Sequence, residues 1–354
     1  MNYNLEIQKK RLQAEEIKVF EDKVKVLKEA IQIADQHHDI DWGFDLRLEL
    51  IRYERNTANC NESFPAFAWI LNASDTHADY FEEADFLWEY KWMFNSAYRN
   101  SLIPEAHINE IGADLKRRLQ RNGYTLRAYY NVMTNWAQHK GDFEAAADFI
   151  ALAEAEMEDD MSNCPACELD SKVENELMLG YFDQAIITGQ DLIQGKLTCY
   201  SMPFQTYCCL AYYLLRGNDA RAQHYFEKAL EEYERSDQYD HSVLFALSIL
   251  TYYMFKTDQS GYWELFEKIA AWEVGAEDVL RFHFAMHVLP LLKNGGTKQM
   301  ELSSQVPYYN PEGIYDLKEL YTYYEQIAFH LANQFDKRNG TSFFKDDLVQ
   351  LMQE

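Results

Sequence analysis

Apolar residues along this chain recur at spacings of three and four, the period of helices that each press one face against a neighbour. The stretch "KVKVLKEAIQIADQHHD" from Lys23 to Asp39 predicts one such helix. "DWGFDLRLELIRYE" and "FPAFAWILNAS" predict the next pair, and "FLWEYKWMF" with "PEAHINEIGADLKRRLQRNG" another. In that last segment Pro104 stands where a helix starts and Gly123 where it ends, the usual asymmetry of the two residues. Further on, "HSVLFALSILTYYMF" and "YWELFEKIAAWE" predict a pair, followed by "VLRFHFAMHVLPLLKNGG". Residues 294–313 hold Gly, Pro, Ser and Asn and read as a loop. Helices from Ile314 to Asn339 and from Phe343 to Gln353 are then expected to cap the array with a polar outer face. The predicted division is a helical array over 1–293, a loop over 294–313 and capping helices over 314–354.

Three stretches repeat one design. "GDFEAAADFIALAEAE" begins at Gly141, "GYFDQAIITGQDLIQG" at Gly180 and "GNDARAQHYFEKALEEYE" at Gly217. A glycine that tolerates a left-handed turn closes one helix, and an amphipathic helix follows. Five residues after each glycine stands Ala146, Ala185 or Ala222, and twelve after it Ala153, Leu192 or Ala229. Small residues at such positions let two helices approach closely.

This design resembles the tetratricopeptide repeat, most clearly from about Tyr129 to Arg235, with "LLRGNDARAQHYFEKALEEYE" the best single copy. The glycines stand 39 and 37 residues apart, against the family's usual ~34. Thr134 and Leu210 occupy the place of the family's first-helix glycine. The chain is therefore read as a divergent, tetratricopeptide-like protein. The resemblance implies an all-α, right-handed α-solenoid of antiparallel helix pairs whose first helices line a concave groove. Carried onto this sequence, the groove positions are Ala128, Asn131 and Asn135, then Cys167, Asp170 and Glu174, then Phe204, Tyr207 and Ala211. Of these, Asn131, Asn135, Asp170, Glu174 and Tyr207 are the expected partner-binding residues.

Composition agrees with helices. Aromatic residues make up 15% of the 354 positions, while only 7 Pro and 14 Gly are present, too few turn residues for a chain of short strands. The amino-terminal "MNYNLEIQKKRLQAEE" lacks the apolar centre of a signal peptide. No run approaches the ~18 apolar residues that span a bilayer. Six cysteines in a chain this long do not make a disulfide framework. A cytoplasmic protein with reduced thiols is expected.

The formal net charge is -25, which repels nucleic acid and anionic membranes; neither is an expected partner. The cluster of Lys116, Arg117, Arg118, Arg121 and Arg127 reads as a solvated helix end. Residues 141–200 carry fourteen acids against Lys172 and Lys196, with "EAEMEDD" (Glu154–Asp160) the densest part. Such a surface suits a protein or peptide partner with a basic segment.

Candidate chemistry is sparse. Cys164 and Cys167 have the spacing of a redox dithiol or half a zinc site, and Cys167 falls near a helix start. There is no βαβ setting and no second pair. Cys199 is a possible third ligand that nothing in the sequence brings close, so the two cysteines read as thiols of a connecting loop. His283 and His287 share a helix face with apolar flanks and read as packed histidines; Trp88 and Trp92 read as core. "KNGGTKQ" lacks P-loop spacing, and no nucleophile motif is present. No catalytic residue, metal or cofactor is expected. The reading is a non-enzymatic adaptor that holds a peptide or protein in its groove. The alternatives are an acidic inhibitor or immunity-type protein masking a basic enzyme, and a peptide-sensing regulator.

Overall fold

The turn glycines act as their positions predict, with one exchange of roles. Gly141 and Gly180 both take the left-handed conformation at φ +77°. At the third turn the left-handed residue is Asn218 (φ 55°), one place later. Gly217 instead serves a close approach, because a Cβ there would lie 2.3 Å from Phe182 Cε2. Gly141 meets both demands at once, as an added Cβ would sit 2.6 Å from Phe343 Cγ. Gly141→Ala should therefore destabilise the protein by about 2 kcal/mol or more, from left-handed strain together with displacement of the Phe343 ring. Denaturant titration beside the wild type checks this, and an unchanged midpoint would refute the packing described.

A computed structural model describes residues 2–354 apart from 236 and 238. Among the described residues are 18 α-helices and one two-stranded antiparallel pair. The first half holds α1 (Tyr3–Glu16), α2 (Phe20–Gln36), α3 (Ile40–Glu54), α4 (Ser63–Thr76), α5 (Leu87–Arg99), α6 (Glu105–Arg121), α7 (Arg127–His139) and α8 (Phe143–Ala155). There follow α9 (Pro165–Met178), α10 (Phe182–Thr188), α11 (Gln190–Ile193), α12 (Phe204–Arg216), α13 (Ala222–Tyr233), α14 (Leu244–Lys256), α15 (Tyr262–Ile269) and α16 (Asp278–Leu292). The chain ends in α17 (Leu317–Asn339) and α18 (Phe343–Gln353). The fold is all-α, and sequential helices pack on one another in the manner of a helical repeat.

The predicted loop over 294–313 contains a short strand. Thr297–Gln299 (β1) pairs with Ile314–Asp316 (β2), and Met300, Leu302 and Val306 are buried. The helix expected from Ile314 accordingly starts at Leu317, where the Asp316 carboxylate accepts from the Lys318 N–H. The helix expected after Gly180 is broken in two, α10 and α11, at Gly189. The small positions behave as the repeat requires: Ala146, Ala153, Ala185, Leu192, Ala222 and Ala229 are all buried.

Packing between alternate helices creates an inner layer. Helix α5 packs on α7, α7 on α9, α9 on α12, α12 on α14 and α14 on α16, while α6, α8, α13, α15 and α17 pair with members of this layer. The succession closes, because α16 also contacts α5. Six inner helices thus form a complete circuit.

Two apolar cores fill the walls, one running from Ile7 to Met161 and the other from Val173 to Leu351 with Ala58 added. At the closing seam the contacts are polar. The Glu277 N–H donates to Ala58 O at 2.8 Å, and Arg99 Nη1 lies 3.2 Å from Glu277 Oε2. Ser101 donates from its N–H and its hydroxyl to Asp278 Oδ2. Arg338 on α17 donates through Nη1 to Tyr98 O and Asn100 O, both at 2.8 Å, and Nη2 lies 2.8 Å from His139 Nε2. Among the described residues no helix is long and apolar enough to cross a membrane.

Candidate functional site

The inner circuit surrounds a cavity of about 1060 Å³. All six inner helices contribute to its wall, and Phe343, Asp347 and Gln350 reach it from the end of the chain. Its wall is polar and aromatic together: Trp88, Trp92, Tyr213 and Phe245 beside Asn95, Asn135, Gln138 and Gln205. The inward face of each inner helix therefore carries residues that the apolar periodicity alone would assign to solvent.

Most charges on this wall are already paired. Arg216 meets Asp347 at 2.7 Å and Glu354 at 3.0 Å, and Arg99 meets Glu277. Arg99 keeps 40% of its side-chain surface open, and that surface faces the cavity. Lys91 Nζ donates to Met161 O at 2.6 Å and Asn163 Oδ1 at 3.1 Å, 3.4 Å above the Trp88 ring. Burial lowers its pKa to about 8.

Glu174 is different. Its carboxylate lines the cavity and makes no hydrogen bond with any described residue. Burial, then the neighbouring Asp170, push its pKa up to about 7, against the opposing pull of Arg99. Asp170, one turn earlier on α9, is buried and accepts from Thr206 Oγ1 and Gln205 Nε2. Its own pKa is raised by burial to about 6, with the Thr206 bond acting the other way. Glu174 itself is half-buried, whereas three other polar atoms on the wall are fully buried without a partner: Asn95 Oδ1, His283 Nδ1 and His287 Nε2. Buried polar atoms in native proteins are nearly always satisfied by protein, water or ligand, so these mark where a bound group would be met.

The groove positions implied by the repeat divide into two sets. Asn135, Asp170 and Glu174 line the cavity. Asn131 is drawn sideways into a bond from Nδ2 to Glu168 Oε1 at 2.6 Å. Tyr207 is corrected from a groove residue to a core one. It is 4% exposed and its hydroxyl donates to Ile193 O. Ala128, Phe204 and Ala211 are likewise buried, because inner helices that also pack on both neighbours have little free face.

Other sequence candidates resolve on contact. Arg118 is buried and bound by Asp75, Asp114 and Glu83, Arg121 pairs with Glu83, and Arg127 with Glu168. The cluster therefore divides: Arg118 is buried among carboxylates, while Arg117 and Arg121 remain exposed at the helix end as expected, each with one carboxylate partner. Acids of residues 141–200 have internal roles too: Glu154 pairs with Lys172, and Asp159 accepts from Thr125. Trp88 and Trp92, read as core, both reach the cavity wall, where Lys91 and Arg55 stack on them, and Trp92 also packs against the first core. His283 and His287 are enclosed and lie parallel with ring centroids 6.0 Å apart. Burial, helped by Arg99, holds His283 down to about 4, so it is neutral at physiological pH. His287 Nδ1 sits 2.8 Å from Ser248 Oγ.

Sequence reasoning missed Asn95, Arg99 and His283 on the cavity wall, and it left Cys199 apart from Cys164 and Cys167. The three sulfurs lie within 4.8 Å of one another. A signal for this was present in the repeat itself. With units 37 residues apart, Ser201 is the counterpart of Cys164, so Cys199 precedes α12 much as Cys164 precedes α9. Adjacent inner helices place their amino-terminal ends side by side.

No family model matches the chain, and no curated protein or solved structure matches it either.

Proposed function

We propose that this chain is a non-enzymatic, tetratricopeptide-like scaffold that takes a short basic peptide segment of a partner into its central cavity. The observation that carries the reading is Glu174, a half-buried carboxylate on the cavity wall with no hydrogen-bond partner among the described residues. An incoming ammonium or guanidinium group supplies the missing donor, and charge-assisted bonds of this kind are the strong ones. The neutral amides of Asn95, Asn135, Gln138 and Gln205 suit peptide backbone groups, and Trp88, Trp92 and Phe245 suit apolar side chains. The volume, about 1060 Å³, lies just above the ~300–1,000 Å³ of ordinary ligand pockets, which favours several residues of peptide over a small metabolite. All six cysteines are free thiols, which supports a reducing, cytoplasmic setting.

Selection from a displayed library of random heptapeptides tests the proposal. The wild type should enrich sequences bearing Lys or Arg, and Glu174→Gln should not. If nothing is enriched, or if the enriched peptides bind both proteins equally in fluorescence anisotropy, the cavity reading fails.

A further inference from the structure

At one edge of the cavity stand Cys164, Cys167 and Cys199, and all three contribute to its wall. Cys164 caps the amino terminus of α9, its Sγ accepting from the Cys167 N–H at 3.4 Å. Pro165 follows as the first helical residue, which fixes the direction in which the two side chains leave the helix. Cys199 comes from the next repeat, in a turn closed by reciprocal backbone bonds between Cys199 and Met202. The Cys164 and Cys167 sulfurs are 3.2 Å apart, well beyond the ~2.05 Å of a disulfide. Three thiols from two repeats thus converge with no covalent bond among them.

A tetrahedral ion with bonds of ~2.3 Å to sulfur needs sulfur–sulfur separations of roughly 3.8 Å, which the three atoms reach by small side-chain rotations. Each thiol loses its proton to solvent as its S–metal bond forms, so one divalent ion replaces three protons. The resulting centre, three thiolates on a dication, carries one net negative charge. The Lys91 ammonium, held in place by Met161 O and Asn163 Oδ1, is close enough to interact electrostatically with Cys167 and offsets that charge. Soft thiolate donors in tetrahedral array select zinc over harder divalent ions.

We propose that Cys164, Cys167 and Cys199 bind one Zn²⁺ ion, with its fourth coordination position directed into the cavity. A water molecule fills that position when the cavity holds no other donor. The site stands on the sulfur geometry alone and does not depend on the peptide reading. It clamps the turn before α12 to the start of α9, and so fixes two adjoining segments of the cavity wall.

The test uses the full chain, reduced and stripped of metal, dialysed against Zn²⁺ and separately titrated with Co²⁺. The wild type should take up one zinc per chain, and Co²⁺ should give the intense charge-transfer absorption of cobalt–thiolate bonds. Cys199→Ser and Cys167→Ser should each weaken zinc binding by 100-fold or more. Cys208→Ser, a buried thiol outside the cluster, should bind as the wild type does. The cobalt spectrum and a zinc-dependent rise in wild-type melting temperature need no variant, so a misfolded mutant does not remove the test. Less than one tight zinc in the wild type, equal binding by Cys199→Ser, or a cobalt spectrum without the thiolate band would each overturn the proposal.

Discussion

Glu174→Gln should make the protein more stable at pH 8 while it loses a basic ligand. In the folded chain Glu174 holds its proton up to about 7, above its ordinary 4.5. Between those two values the folded state binds more protons than the unfolded one, so stability falls as pH rises through the window. Above pH 7 the wild type carries the cost of a desolvated carboxylate with no hydrogen-bond partner. Glutamine carries no charge and escapes that cost. Because the residue is only half-buried, the gain at pH 8 is about 1–3 kcal/mol, below the full linkage value. At pH 4 the two proteins should have equal stability.

The charged groups around Glu174 bound the expected curve. Asp170 shares its helix, Arg99 approaches from α5, and the ionisable Cys209 and Tyr213 sit on α12. Asp170 is raised to about 6 and will keep its own share of the pH dependence in the variant. A cationic peptide should bind the wild type about tenfold more weakly at pH 6 than at pH 8, because only roughly a tenth of Glu174 is then ionised. In Glu174→Gln the affinity at pH 8 should be about 10- to 100-fold lower, the worth of one bond to a charged group. Urea titrations across pH, run beside anisotropy measurements, check both halves. A destabilised variant, or an unchanged pH profile, would mean that the carboxylate is not desolvated as described.

Arg338→Ala is expected to be the more damaging change. Its guanidinium joins α17 to the end of α5 and to α7 through Tyr98 O, Asn100 O and His139. It also stacks over Trp136 and Phe335, 5.2 Å and 5.1 Å from the ring centroids. Burial lowers its pKa only to about 10, so it remains charged at neutral pH. Truncation leaves two carbonyls without their donor and removes a flat cation between two aromatic faces. The loss should be about 3–5 kcal/mol. Arg338→Lys keeps the charge but has no planar fork to span the three acceptors, and it should recover less than half of that loss. Midpoints in guanidinium chloride for the two variants test this, and a change below 1 kcal/mol for Ala would show that the seam is held elsewhere.

Local features of this fold were legible because they repeat. The turn glycines, the buried alanines and the entry proline at residue 165 obey short-range rules that hold wherever the segment is placed. The cavity was legible only in part, and the reason is geometric. A groove position counted along one repeat states which way a residue faces if that helix has a free side. Tyr207 and Phe204 have none, since α12 packs on α9, α13 and α14. Asn135, Asp170 and Glu174, by contrast, do line the cavity. The position of the tryptophans at 88 and 92 on the cavity wall was hidden for a related reason. Helical spacing says that two residues share a face, but not whether that face meets another helix or a void. Cys199 was left apart by treating each loop alone, although the repeat offset sets its turn beside Cys164.

The polar seam bears on how the chain is made. Its bonds join residues separated by 177, 178 and 240 positions, while most helices pack on a neighbour in sequence. A nascent chain can therefore assemble α1 to α8 locally as it leaves the ribosome, at roughly 5–20 residues per second. The carbonyls of Tyr98 and Asn100 meanwhile wait for an arginine not yet translated. Closure of the circuit has to wait until α16 and α17 have been made, and until then the unfinished wall is open to whatever else can occupy it.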